Sequence, residues 1–266
     1  VFSLFSKPSP TVTPTLRRVL IVDPETASAR ALGELLRRPG GPEIWAAPDA
    51  AKALKLAGKV DPDLIFCELA AGKLDGAAFT RALRRSDLAC RRAPVVLVAA
   101  EPSAQAVLAA RDAGAHEFLR RPILAKDLAR RLEAATAHPR DWVEAMDYVG
   151  PDRRRFNSAD YPGPLKRLAD ESVAPHAVRV GEGLKIVRAA LAGLGRDPAQ
   201  ARRALKAQAA MLGAVAAETA DARLAAAAGA LSAYLDVAGE ALDAAQAHRC
   251  AEALLAYGGR EDRAAA

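Results

Sequence analysis

Between Arg17 and Ala137, short apolar runs alternate with helix-like stretches, five of each, and this alternation limits the fold more than any other feature of the chain. In order they read RRVLIVD, ASARALGELLRR, EIWAA, DAAKALKLAGK, DLIFCEL, GAAFTRALRRSD, APVVLVAA, SAQAVLAARDAG, HEFLRR and LAKDLARRLEAATA. A half-exposed strand alternates apolar and polar residues, whereas runs such as VLIV and VVLVA are apolar throughout and need cover on both faces. A parallel sheet supplies it, because each βαβ crossover lays a helix on one face or the other. The spacing predicts an α/β domain over residues 17–138, a doubly wound five-stranded parallel sheet.

The flanks have a different texture. Residues 1–16 hold proline, serine and threonine without apolar periodicity and read as a flexible leader. Residues 139–174 form a Gly-Pro- and Arg-containing linker with a small repeat: YVGPDRR from Tyr148 and YPGPLKR from Tyr161. Gly-Pro breaks regular structure, so each copy is expected to be an extended turn whose tyrosine, Tyr148 or Tyr161, is buried as an anchor. From Pro175 the pattern is helical. Leu184, Val187, Leu191 and Leu194 make one stripe; Leu205, Leu212 and Val215 a second; Leu224, Leu231 and Leu235 a third; Leu242, Leu254 and Tyr257 a fourth. Turns at GLGRDP, at ETADA and near Gly239 separate them, predicting an all-α bundle of four antiparallel helices over 175–258 and a tail over 259–266.

Composition excludes several classes. At 266 residues and 51% hydrophobic, the chain can bury two modest cores. No apolar run approaches the roughly 20 residues of a membrane helix, and the opening VFSLFS lacks the basic flank of a secretory signal, so a cytoplasmic protein without membrane contact is expected. Cys67, Cys90 and Cys250 are an odd number without metal-ligand spacing and read as buried reduced thiols. The net charge of +6 is spread along the chain beside nearly as many acids, which singles out no polyanion.

Ligands of doubly wound sheets sit beyond the carboxyl ends of the strands. There the chain presents Asp23, Glu68, Ala99 and Arg121. The segments VLIVDPE, PDLIFCELAAGKLDG and DAGAHEFLRRPI, with their spacing, resemble the receiver (CheY-like) domain of two-component response regulators across residues 17–138. The resemblance implies the receiver version of the flavodoxin-like fold. It also implies a site in which an acid pair and an acceptor aspartate hold Mg²⁺, a hydroxyl grips the phosphoryl group, and a lysine serves as counter-ion. Here Asp23 matches, but Pro24 takes the second acidic place with Glu25 one residue late, Glu68 takes the acceptor place, Ala99 the hydroxyl place and Arg121 the lysine place. Phe118 stands at the switch-aromatic place and reads as core packing, because Ala99 offers no hydroxyl to follow.

Those departures point away from phosphoryl transfer. Mg²⁺ demands near-ideal octahedral geometry, so no metal is expected beyond weak Mg²⁺ binding at Asp23, Glu25 and Glu68, and no other cofactor. The extra methylene of Glu68 misplaces the acceptor oxygen, and misplacement by about 1 Å costs on the order of 100-fold. Glu68 instead supplies a permanent carboxylate that the planar fork of Arg121 can grip.

The leading expectation is a non-enzymatic adaptor of a bacterial two-component network, a degenerate receiver joined to a helical interaction bundle. Its expected partners are a histidine kinase, a phosphotransfer protein or a downstream effector, with Arg120, Lys126, Arg130 and Arg131 as docking contacts, and a homodimer forming through the bundle. A second reading is an effector that clamps a cyclic dinucleotide or other phosphate ligand with Arg153, Arg154, Arg155, Lys166 and Arg167, stacking a base on Tyr148, Phe156 or Tyr161. A DNA-binding regulator ranks third, because no helix-turn-helix with a basic recognition helix is visible. His176 at a helix start and His248 beside Arg249 read as ordinary surface histidines rather than phosphotransfer groups.

Overall fold

The computed structural model describes residues 16–37, 39–101, 103–137, 140–153, 175–239 and 242–264. These fall in two compact units, bounded as Val1–Val143 with Val149–Pro162 and as Glu144–Tyr148 with Gly163–Ala266.

The first unit follows the expected alternation: β1 (Arg18–Val22), α1 (Thr26–Leu36), β2 (Glu43–Ala47), α2 (Ala50–Val60), β3 (Leu64–Glu68), a two-rung ribbon of β4 (Ala70–Ala71) and β5 (Leu74–Asp75), then α3 (Gly76–Arg85). After a 3-10 turn at Ala89–Arg92 come β6 (Val95–Ala99), α4 (Ala104–Asp112), β7 (Glu117–Arg120) and α5 (Ala125–Thr136). The five main strands pair in parallel in the order β2-β1-β3-β6-β7. Every residue of β3 and β6 is buried, as runs apolar throughout require. The side chains still alternate: Leu20, Val22, Ile65, Cys67, Leu97 and Phe118 enter one apolar cluster, and Val19, Ile21, Leu64, Phe66, Val96 and Val98 enter another on the opposite face. Asp49, Asp75 and Ser103 cap α2, α3 and α4 by accepting from the backbone N–H of Lys52, Ala78 and Ala106.

The chain stays folded beyond α5. Within the expected linker, β8 (Trp142–Glu144) and β9 (Val149–Pro151) form a short hairpin. Arg140 donates to the His116 carbonyl at 2.7 Å and to the Glu117 carboxylate. The guanidinium carbons of Arg84, Arg91 and Arg92 stand 5.2, 5.9 and 5.3 Å from the centre of the Trp142 ring. Gly114, at φ +88°, lets β9 approach, since a Cβ there would meet the Val149 oxygen at 2.4 Å.

The second unit consists of α6 (Pro175–Gly193), α7 (Pro198–Thr219), α8 (Ala222–Val237) and α9 (Ala244–Ala264), together with Glu144–Tyr148. Each helix contacts the next and α9 contacts α6, closing the bundle. The predicted stripes are its core: Leu184, Val187, Leu191, Leu205, Leu212, Val215, Leu224, Leu231, Leu235 and Leu254 are all buried, among alanines. Leu242 and Tyr257 pack on the core only partly buried. Asp197, Asp221 and Asp243 accept from the N–H groups that open α7, α8 and α9. The last helix continues to Ala264, through residues expected as a tail. Met146 enters this core, and a Cβ on Gly193 would meet its Cε at 2.4 Å. Tyr148 is buried, as the anchor reading requires, whereas Tyr161 lies outside the described residues. Among the described residues no helix is long and apolar enough to cross a membrane.

Candidate functional site

The parallel register brings four chain-distant residues to one edge of the sheet. Val22 stands level with Cys67, so Asp23 and Glu68 follow side by side at the ends of β1 and β3. Ala99 ends β6, and the Arg121 N–H donates to the Ala99 carbonyl at 2.9 Å, fixing Arg121 across from it. Leu69 N–H donates to the Val98 carbonyl at 2.7 Å, holding the turn after Glu68. Gly76 opens α3 so near that a Cβ would meet the Glu68 carbonyl oxygen at 2.3 Å, and only glycine allows this close approach.

Side-chain geometry completes the cluster. Arg121 Nε and Nη2 donate to Glu68 Oε2 at 3.0 and 2.8 Å, and the same Nη2 donates to Asp23 Oδ2 at 2.9 Å. The expected grip of Arg121 on Glu68 is present in altered form: both donors converge on one carboxylate oxygen, and the guanidinium also holds Asp23. The other Asp23 oxygen accepts the Glu25 backbone N–H at 2.8 Å. Both carboxylates are more than nine-tenths buried, and the Arg121 side chain is 26% exposed. Burial pushes the Glu68 carboxyl above its ordinary range, Arg121 pulls it back, and Asp23 and Glu25 add to the rise. Pro24 and Glu25 are exposed, and Ala99 and Phe118 are buried in one apolar cluster. Among the described residues no group of three His, Cys, Asp or Glu side chains is placed to hold a metal. The donor set does not fit Mg²⁺, because a guanidinium already bridges the two buried carboxylates.

Beside Arg121 lies an open, mainly apolar groove of ≈ 530 Å³, lined by Ala31, Leu32, Leu35, Ala100, Pro122 and Ile123. Leu35 in its lining is 46% exposed.

Other expected site residues are dispersed. Arg120, Lys126 and Arg130 are exposed, with Arg130 paired to Asp127. Arg131 is corrected: its side chain is buried and pairs with the fully buried Glu117 at 3.0 Å, so it is no docking contact. Of the five cations of the anion clamp only Arg153 lies among the described residues, where it pairs with Asp112 at 3.3 Å; Arg154, Arg155, Phe156, Lys166 and Arg167 lie outside them. His176 is half-exposed, 3.4 Å from Glu218, and the exposed His248 is held through Nδ1 by the Ala244 carbonyl at 2.8 Å. Cys67 and Cys90 are buried free thiols, whereas Cys250 is half-buried.

Sequence patterning missed the buried polar cluster at the opposite end of the sheet. Arg84, with no exposed surface, donates to the carbonyls of Gly114, Arg91 and Ala93 and lies 3.2 Å from His116 Nδ1. One signal was available: the pair His116-Glu117 opens a strand in a sheet covered on both faces.

Residues 19–133 match the family model described as the response regulator receiver domain. The chain is 33% identical over 126 residues to the transcriptional regulatory protein PdtaR of Mycobacterium tuberculosis, covering 47% of this chain and 59% of PdtaR. It is 29% identical over 169 residues to the KDP operon transcriptional regulatory protein KdpE of Escherichia coli, covering 63% of this chain and 65% of KdpE. Among solved structures, the Vibrio cholerae chemotaxis protein CheY4 aligns with a TM-score of 0.42 at 23% identity, over 45% of this chain and 98% of CheY4. The chain thus spans between half and two thirds of the length of these curated relatives.

Proposed function

Residues 19–133 are a response regulator receiver domain, and from that premise we propose that the chain is a non-enzymatic signalling adaptor whose receiver is set permanently rather than switched by phosphorylation. The bridge from Arg121 to both Glu68 and Asp23 carries this reading. Glu68 gives the site a lasting negative charge, and Arg121 ties that charge to the loop after β7 without a phosphoryl group. Two N–H groups hold Glu68 Oε2 in this bridge, and no hydroxyl stands at Ala99 to position a phosphoryl group for in-line transfer to the remaining oxygen.

An adaptor acts through surfaces. On this reading the apolar groove beside Arg121, with the exposed Leu35 in its lining, and the exposed cations Arg120, Lys126 and Arg130 receive a signalling partner such as a histidine kinase, a phosphotransfer protein or a downstream effector. Self-association through the helical unit belongs to the same reading, since exposed alanines cover much of α8. A second reading, transcriptional output, draws on the names of the curated relatives; against it, α7 and α8 are long helices joined by only Ala220 and Asp221, as in an antiparallel hairpin.

The test is phosphorylation with acetyl phosphate and Mg²⁺, read by intact-mass spectrometry with hydroxylamine release of acyl phosphate. Wild type is expected to remain unmodified. Glu68→Asp is expected to stay inert too, because Pro24 and Ala99 still withhold the second carboxylate and the hydroxyl, and groups serving one transition state are strongly non-additive. Stoichiometric, hydroxylamine-labile phosphate on the wild type would overturn the reading.

A further inference from the structure

We propose that Arg121 is the resident cation of this site, a tethered stand-in for a divalent metal, and that the cluster is closed to Mg²⁺ and similar ions. This deepens the reading above and rests on it only in taking residues 19–133 as a receiver.

The hydrogen bonds define the replacement. A metal in such a site would join the carboxylates at the ends of β1 and β3; here Arg121 Nη2 joins them, at 2.9 Å from Asp23 Oδ2 and 2.8 Å from Glu68 Oε2. Asp23 Oδ1 is taken by the Glu25 N–H at 2.8 Å, and Glu68 Oε2 also accepts Arg121 Nε at 3.0 Å. Three of the four carboxylate oxygens are therefore committed, leaving Glu68 Oε1. Six oxygens in near-octahedral array are what Mg²⁺ needs, while Ca²⁺ takes six to eight. The exposed Pro24 has no carboxylate to add, and the Glu25 side chain is exposed.

Arg121 is also hard to displace. Its backbone is pinned by the 2.9 Å bond from its N–H to the Ala99 carbonyl, and its anionic partners are almost fully buried. A dication entering between those partners would meet a like charge in a poorly screened setting. Asp23 thereby gains a task independent of metal: it is the second anchor of the guanidinium. The rival possibility is that Arg121 swings aside and admits the ion, and it predicts different titrations.

The experiment titrates the full chain with Mn²⁺ alone, following free ion by electron paramagnetic resonance. Wild type is expected to take up no Mn²⁺ at this site at millimolar ion. Arg121→Ala is expected to bind about tenfold more tightly or better, because two anionic ligands are released, and Asp23→Asn added to it should abolish the gain. Uptake by the wild type that Asp23→Asn removes, or a folded Arg121→Ala variant that gains nothing, overturns the proposal. Should Arg121→Ala not fold, the wild type decides: the side-chain Nε–H resonance of Arg121, assigned by its loss in Arg121→Lys, should be unmoved by Mg²⁺ and unbroadened by Mn²⁺, and a shift or selective broadening refutes the proposal. None of these arms reads phosphorylation, so they fail or succeed apart from the acetyl phosphate test.

Discussion

Glu68 and His116 are both buried and titratable, and each is pushed toward its neutral form for a different local reason. At Glu68, burial and the neighbouring acids lift the carboxyl while Arg121 opposes them. At His116, burial acts together with the guanidinium groups of Arg84 and Arg140, all of which disfavour the imidazolium. Its Nδ1 lies 3.2 Å from Arg84 Nη2 and 3.4 Å from the Val95 N–H, so that nitrogen serves as an acceptor, which protonation would destroy. The adjoining Glu117 carboxylate is engaged by Arg131 and Arg140 and raised by its own burial. The folded pKa of His116 lies below the unfolded value near 6.5, so the unfolded chain binds the proton first. Its contribution is present in full above pH 6.5 and is lost as pH falls, with a slope of up to about 1.4 kcal/mol per pH unit. Raised Glu68 and Glu117 act in the opposite sense, each favouring the fold as pH falls toward the carboxylate range. Urea unfolding at pH 7.5 and 5.5 should therefore show a smaller acid loss in His116→Gln than in wild type; equal losses in the two proteins would rule out His116 as the source. At this scale the sequence disclosed the partnership of Glu68 and Arg121, because both depart from the receiver pattern at the carboxyl ends of strands in one sheet. It did not disclose the bridge to Asp23 or the buried Arg84, since Asp23 matches the receiver pattern and an arginine on an amphipathic helix reads as surface.

Elements were legible wherever burial imposes a period. The central strands β3 and β6, buried along their whole length, had to be largely apolar, and the leucine stripes of α6 to α8 mark faces that could only point inward. The β8–β9 hairpin was not legible, because strands of three residues carry no measurable alternation and their order comes from Arg140 and Trp142. Arg131 was misread for a related reason: an arginine on an amphipathic helix reads as surface unless its strand partner, Glu117, is known. Glycines inside the bundle helices separate two physical cases. Gly213 in α7 and Gly229 in α8 have nothing within 4 Å of a would-be Cβ, so their cost is helix propensity alone. Gly183 in α6 has Met211 Cε at 2.5 Å and Gln208 Oε1 at 3.3 Å from that point, so an added methyl must displace neighbours. Gly213→Ala and Gly229→Ala should each raise stability by about 0.5–1 kcal/mol, whereas Gly183→Ala should gain less or lose. Thermal melts of the three variants check this ordering, and a destabilised Gly229→Ala would mean that its open face is covered in solution.

At the scale of the whole molecule, the two compact units are not consecutive in the chain. Glu144–Tyr148, the last residue of β8 with the turn that follows it, counts with the helices, while β9 counts with the sheet. The short segment has specific work in the helical unit. The fully buried Gln200 donates to Glu144 Oε1 at 3.1 Å and to the Ala145 carbonyl at 3.0 Å, and Met146 lies in the leucine-rich core against Gly193. Cutting the chain before Pro175 therefore removes both acceptors of the Gln200 side-chain NH2 group and the methionine side chain that fills this part of the core. An unpaired buried polar group costs about 1–3 kcal/mol, and loss of a buried methionine side chain about 2–5 kcal/mol, against the roughly 5–15 kcal/mol that holds a typical domain. Residues 175–266 alone should consequently give a helical circular-dichroism spectrum but melt well below the helical transition of the full chain. Restoring the segment by expressing residues 140–266 should recover only part of the difference, because Trp142 and Arg140 would then lack the sheet unit that orders the hairpin. Within the full chain, Met146→Ala should lower the helical transition while leaving the receiver's near-ultraviolet signal intact. A 175–266 fragment that melts as high as the full chain, or a Met146→Ala protein with an unchanged transition, would show that the helices form a complete domain without the segment.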